Sequence, residues 1–249
     1  MKNTKSGVVV VTGGSRGIGA AISKLAAHRG WKVCVNYKSN ESIANGIVKE
    51  ILNSGGNAIA VQADISNEDD VVRLFERVDS ELGQITALVN NAGMITPQSK
   101  LVDMDVNRLQ KLFNTNVVGS FLCAREAIKR MSEKNGGTIT NLSSAASRIG
   151  SPNEFIDYAA SKGAIDTMTL GLSKEVAEEG IRVNAVRPGL IDTELHYDTG
   201  DAERPEKLKQ FVPMKRVGSA EEVANTVLWL MSKEASYITG ALVDVTGGR

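Results

Sequence analysis

The chain has little cysteine, histidine and aromatic residue, and no excess of charge of either sign. Its 249 residues include 2 cysteines, 2 histidines and 4% aromatics, and 29 basic side chains balance 29 acidic ones. A formal net charge of +0 leaves no global field to draw the protein to nucleic acid or an anionic membrane, so neither partner is expected. Cys34 and Cys123 lie far apart in apolar segments, which suits buried thiols in a reducing compartment and points to a cytoplasmic protein without disulfides. His28 and His196 lack ligand partners at metal-binding spacing, so no metal site is expected. No stretch approaches the roughly 18 apolar residues of a membrane helix. The opening run Val8 to Val11 ends in a glycine turn and reads as a buried strand, not a signal peptide. Linkers rich in Pro, Gly or Ser and solenoid repeats are also missing. What is present, 42% apolar and 23% charged residues, fits one large α/β domain over 1–249.

Short β-branched runs alternate with helical patterns throughout. Strands are predicted at Val8 to Thr12, Lys32 to Asn36, Ala58 to Gln62, Ala87 to Asn90, Thr138 to Leu142, Arg182 to Val186 and Ala241 to Val245. Helices are predicted near 18–29, 41–53, 68–81, 105–133, 156–178 and 221–232. Strands that are apolar on both faces imply a parallel sheet covered by helices, so the expected fold is a doubly wound α/β (Rossmann) sheet of about seven strands. The polar segment 192–215 breaks the alternation, and a helical piece near Pro205 to Phe211 marks it as a lid.

After the first strand comes Thr12-Gly13-Gly14-Ser15-Arg16-Gly17-Ile18-Gly19, then an amphipathic helix. Glycines here permit a tight turn and close approach of backbone to a pyrophosphate, and the helix N-terminus offers unpaired N–H groups. The spacing differs from the usual G-x-G-x-x-G form, so position at the first crossover carries the nucleotide-binding reading against that of a structural turn. The second strand runs through Asn36 into Tyr37-Lys38-Ser39, with no acid until Glu41. Arg16, Lys38 and Ser39 can flank a 2′-phosphate, which favours NADP; as solvated surface charges they would leave a site that accepts NAD as well. Asp64, followed by Ile65, can accept from an adenine amino group or cap the next turn. Small residues in Asn91-Ala92-Gly93 leave room for a cofactor at the fourth strand.

Tyr158-Ala159-Ala160-Ser161-Lys162 places a phenol and an ammonium one helical turn apart. A nearby cation stabilises phenolate, which would make an acid or base usable near neutrality. The same letters also fit an amphipathic tyrosine and a snorkelling lysine.

Taken in order, TGGSRGIG at 12–19, ADIS at 63–66, NNAG at 90–93, Asn116 in NTNVVGSF, NLSS at 141–144, YAASK at 158–162, RPGLIDT at 187–193 and the terminal VTGGR resemble the classical short-chain dehydrogenase/reductase family over essentially the whole chain. The resemblance implies Tyr158 as proton donor or acceptor, Lys162 as its activator and ribose ligand, Ser144 as carbonyl orienter and Asn116 as anchor of a relay water. It implies that the segment Pro188, Gly189, Ile191 and Thr193 holds the nicotinamide carboxamide. The Ser-to-Tyr spacing is one residue longer than the commonest family form; matching at Gly150 selects Ser144, with Ser143 as the alternative. The implied reaction is hydride transfer between nicotinamide and a carbonyl or secondary-alcohol substrate. Reduction of 3-oxoacyl chains on a carrier protein is the alternative; it asks for a basic docking patch, to which Lys129, Arg130 and Lys174 can contribute. A non-catalytic NADP-binding module is a further alternative. Leu195, Tyr197, Phe211, Val212 and Met214 either give the lid an apolar substrate surface or pin it to the domain. Relatives are commonly homotetramers assembled through the helices at 105–133 and 156–178 and through the C-terminal strand, and the resemblance implies the same here.

Overall fold

The computed structural model describes residues 7–131, 136–199, 201 and 203–249. In chain order these form β1 (Val8–Val11), α1 (Gly17–His28), β2 (Lys32–Tyr37), α2 (Glu41–Asn53), β3 (Asn57–Gln62), α3 (Glu68–Glu81), β4 (Ile85–Asn90), α4 (Val106–Phe113), α5 (Gly119–Met131), β5 (Gly137–Leu142), α6 (Ala146–Ile149), α7 (Ile156–Glu175), β6 (Ile181–Pro188), α8 (Arg204–Leu208), α9 (Ala220–Met231) and β7 (Leu242–Val245). The seven strands make one sheet in the order β3-β2-β1-β4-β5-β6-β7, every neighbouring pair parallel.

The all-valine β1 explains the two layers. Successive strand side chains point to opposite faces. Val9 and Val11 join the core formed with Ile22 of α1, Ile47 of α2 and Val227 of α9, whereas Val8 and Val10 join Phe75 of α3, Ala127 of α5 and Ile165 of α7. Both faces are thus covered, as a parallel sheet requires. β1 lies between β2 and β4, so the chain direction across the sheet reverses there and the carboxyl ends of β1 and β4 flank a crevice.

All seven predicted strands are present, with ends that move by up to two residues. The helix predicted over 105–133 is interrupted: α4 runs into a π-turn at Asn114–Val118 before α5 begins, and Asp105 caps α4 by accepting from Arg108 N. A π-turn inserts one residue into the helical ladder and recurs at functional sites. The end of that predicted helix, 132–133, lies outside the described residues, as does the Tyr197 side chain. α7 stops at Glu175, and a short 3₁₀ turn at Ala177–Glu179 follows. In the segment 192–215, α8 and a 3₁₀ turn at Lys209–Phe211 occupy the predicted helical stretch.

Candidate active site

The glycine loop is shaped by close contact. Gly13 and Gly17 have φ of 59° and 49°, in the left-handed region that favours glycine, and a Cβ at Gly19 would collide with the Gly13 carbonyl oxygen. The loop is stitched to the end of β4: Thr12 Oγ1 accepts from the Asn91 and Ala92 N–H groups at 3.0 Å each, and Asn91 Nδ2 donates to the Thr12 and Gly13 carbonyls at 2.8 and 3.0 Å. Asn36 ties it to β2 and β3. Its Oδ1 accepts from Gly13 N at 3.2 Å, and its Nδ2 donates to the Val61 and Ala63 carbonyls at 3.3 and 3.1 Å. Asn36, at the end of the second strand, therefore spends its buried side chain on holding the loop.

A cleft of ≈ 560 Å³ opens over these strand ends. Gly13, Ser15, Arg16, Gly17 and Ile18 form one wall with Asn36, Tyr37, Lys38, Ser39, Asp64 and Ile65, and Asn91, Ala92 and Gly93 form the floor. Ser144, Tyr158, Lys162, Pro188, Gly189, Ile191 and Thr193 complete it. Gly19 and Asn116 do not line the cleft; they act from behind it. α1 has no acidic residue in its first turn and no side-chain cap, so its orphan N–H groups and positive dipole end suit an anion, with the Glu194 carboxylate lying beside Gly17 at this end. The bare backbone at Gly13 and Gly17 plus these donors fit a dinucleotide pyrophosphate.

At the β2 end, Lys38 Nζ lies 2.7 Å from Asp64 Oδ2. Asp64 Oδ1 accepts from Ser66 N and Oγ at 3.1 and 2.7 Å, closing the turn after β3. Burial pushes the Asp64 carboxyl up, but the Lys38 and Ser66 bonds outweigh it and hold the group below its ordinary value. Asp64 thus caps a local turn and also lines the cleft; α3 itself is capped by Asn67.

Three polar side chains converge on the opposite wall. Tyr158 and Lys162 come from α7, and Ser144 from the turn after β5. Ser144 lies beside the Tyr158 phenol and acts to lower its pKa, and the Ser144 Oγ accepts from Ala146 N at 3.1 Å. Ser143 instead donates to the Lys162 carbonyl at 3.1 Å and is buried. Lys162 Nζ is 5.7 Å from the Tyr158 ring centroid. Burial pulls its pKa down to about 8, against an upward contribution from Asp166. Burial also pushes the Tyr158 phenol above its usual value, opposed by the neighbouring Ser144. The lowered phenol pKa expected from the YAASK spacing is therefore not a property of these protein groups alone, because desolvation acts on both partners.

Asn116 sits buried in the π-turn. Its Oδ1 accepts from Met94 N at 2.8 Å, and its Nδ2 donates to Met94 O and Ser161 Oγ at 2.9 and 3.1 Å. A Cβ on Gly93 would lie 3.4 Å from both Asn116 Oδ1 and Lys162 Nζ, so these three positions adjoin. Sequence reasoning missed Asp157. Its buried carboxylate accepts from Arg108 Nε at 2.8 Å and from Tyr158 N at 2.9 Å, which fixes the start of α7 against α4. Only its place beside Tyr158 could have drawn notice. On the third side, Gly189 approaches the C-terminal segment so closely that a Cβ would lie 2.8 Å from Thr246 Cα, and Thr193 leans over Gly17.

The lid is docked. Arg204 of α8 forms a bidentate pair with Glu154 at 2.8 and 2.6 Å and lies over the Phe155 ring at 5.1 Å. Val212 is buried, Leu195 lines the cleft, and Phe211 and Met214 are exposed. The basic patch considered for carrier-protein docking is neutralised in part: Lys129 pairs with Glu126 at 2.8 Å and Arg130 with Asp79 at 2.5 Å. Among the described residues no three His, Cys, Asp or Glu side chains are placed to hold a metal ion, and no helix is long and apolar enough to cross a membrane.

Comparison with known proteins places this geometry. A family model described as Enoyl-(Acyl carrier protein) reductase matches residues 13–249. The chain is 51% identical over 245 residues to the uncharacterized oxidoreductase YgfF of Escherichia coli, covering 97% of this chain and 99% of that one. It is 38% identical to glucose 1-dehydrogenase 2 of Bacillus subtilis, covering 99% and 96%. A doubly substituted Serratia marcescens short-chain dehydrogenase/reductase superposes with a TM-score of 0.92 at 32% identity, covering 98% of each chain.

Proposed function

The chain belongs to the classical short-chain dehydrogenase/reductase family of hydride-transferring oxidoreductases, and from that premise we propose that it is an NADP(H)-dependent enzyme acting on a carbonyl or secondary-alcohol substrate. The observation that carries the reading is the Ser144–Tyr158–Lys162 group on the wall of a cleft whose other wall is the glycine loop. A nicotinamide bound there would supply the hydride. Tyr158 gives a proton to the substrate oxygen, and the raised phenol pKa keeps that proton in place at neutral pH, which suits reduction. Ser144 offers a second donor to the same oxygen. Lys162, with Pro188, Gly189, Ile191 and Thr193, borders the place for the ribose and nicotinamide. Asn116 supports this wall through Met94.

NADP is supported by Arg16 of the glycine loop, by Lys38 and Ser39 at the β2 end and by the lack of a carboxylate directly after that strand. Lys38 keeps donors beyond its bond to Asp64 and is well exposed. Carrier-protein substrates draw less support, because Lys129 and Arg130 already face acids of their own protein. A purely regulatory NADP-binding module does not call for the assembled Ser144–Tyr158–Lys162 group. We read the chain as one domain with a lid at 192–215. Buried, free Cys34 and Cys123 suit a cytoplasmic setting. Exposed Phe121 on α5 and Leu170 on α7 suit burial in a homotetramer, which sedimentation would test.

The direct test mixes purified protein with NADPH or NADH and a panel of ketones, diketones and acetoacetyl thioesters, following cofactor absorbance. The reading expects turnover of a carbonyl with NADPH preferred. Tight NADPH binding with no turnover on any carbonyl would overturn it.

A further inference from the structure

One helical turn beyond Lys162, α7 carries a second buried charge. Positions four apart share a helix face, and Lys162 and Asp166 are only 4% and 7% exposed. Arg187 of β6 reaches Asp166 with Nε at 3.1 Å and Nη2 at 2.9 Å, both on Oδ2. Asp166 Oδ1 is buried with no hydrogen-bond partner among the described residues. A carboxylate bound through one oxygen keeps negative potential that a fork-to-fork pair would quench more fully.

The other groups around this pair are few. Arg187 Nη1 lies 3.8 Å from Asp244 of β7, which Arg148 of α6 holds at 2.6 Å. Lys162 faces the Leu142 carbonyl at the end of β5, the Tyr158 ring on α7 and, across Gly93, the neutral Asn116 of the π-turn. Ser143 meets the Lys162 backbone and Ser144 the phenol. Asp166 is the acid that opposes the loss of the Lys162 proton.

We propose that Asp166 is a positioning residue that keeps the buried Lys162 ammonium charged, and that Arg187 limits how strongly it does so. The proposal rests on reading Lys162 as the partner of Tyr158. It makes an unusual demand: removing the acid and removing the arginine must shift Lys162 in opposite directions. An ion pair that merely braces α7 against β6 would leave the lysine unmoved or shift it the same way in both variants.

The test is a carbon-13 NMR titration of the lysine side-chain ε-carbons in the full-length protein, with Lys162→Met identifying the resonance. Wild-type Lys162 is expected to titrate near 8. Asp166→Asn should lower the midpoint and Arg187→Gln raise it, each by a three- to tenfold change in the protonation equilibrium, about half to one pH unit. The double variant should follow Asp166→Asn. If Arg187→Gln does not fold, Arg187→Lys should leave the midpoint near wild type, and the Asp166→Asn shift then decides. An Asp166→Asn midpoint that is unchanged or higher overturns the proposal. The titration needs no substrate, so it is separable from the reaction: a Tyr158→Phe protein that keeps its turnover would strike the proposed function while leaving the opposed shifts intact.

Discussion

Lys162 Nζ donates to the Leu142 backbone carbonyl at 2.7 Å, which holds a buried ammonium at the carboxyl end of β5. Burial lowers its pKa from 10.5 to about 8. Between these values the unfolded chain binds the proton and the folded one does not, so stability contributed by this group rises with pH across that window. Below pH 8 both states are charged and the burial penalty is present in full. Unfolding of wild type and Lys162→Met by denaturant at pH 7.5 and 10.5 should therefore show wild type gaining on the variant, by at most about 3 kcal/mol. A constant difference would mean that the ammonium is not strained by burial.

The two adjacent serines should separate cleanly. Ser144→Ala removes a donor at the phenol and should reduce turnover about 100-fold or more. Ser143→Ala removes a bond to the Lys162 carbonyl and should cost about 1 kcal/mol of stability with turnover largely kept. The reverse pattern in steady-state kinetics would move the role to Ser143.

Lys38 should set cofactor preference. Lys38→Ala is expected to weaken NADPH binding about tenfold, or about 1.4 kcal/mol, with NADH little affected, and the NADPH loss should shrink at high salt. Equal losses for both cofactors in fluorescence titrations would remove Lys38 from the 2′-phosphate site.

The layered sheet was legible because its strands are buried on both faces and so read as unbroken apolar runs between glycine and polar turns; Val8 to Val11 is the clearest case. The glycine loop was legible because left-handed backbone and close packing each demand glycine at Gly13, Gly17 and Gly19. The π-turn at Asn114–Val118 was not, since residues on both sides of it keep helical character and one inserted residue leaves no local mark. Nor were the ion pairs that brace α7. Arg108 and Asp157 are 49 residues apart, Asp166 and Arg187 are 21 apart, and only the folded chain brings them together. Asn36 reads as an ordinary strand end until the bonds to Gly13, Val61 and Ala63 appear. The phenol's acidity could not be read from Tyr158 and Lys162 alone, because burial, which no spacing reveals, opposes charge on both groups.

The most direct measurement is single-turnover oxidation of NADPH by wild type and Tyr158→Phe on whichever carbonyl the wild-type protein reduces, with cofactor affinity measured alongside. Loss of the phenolic hydroxyl should slow the step by about 100- to 10,000-fold while NADPH binding stays within a few-fold. A Tyr158→Phe protein that oxidises NADPH at the wild-type rate would contradict proton delivery by this residue.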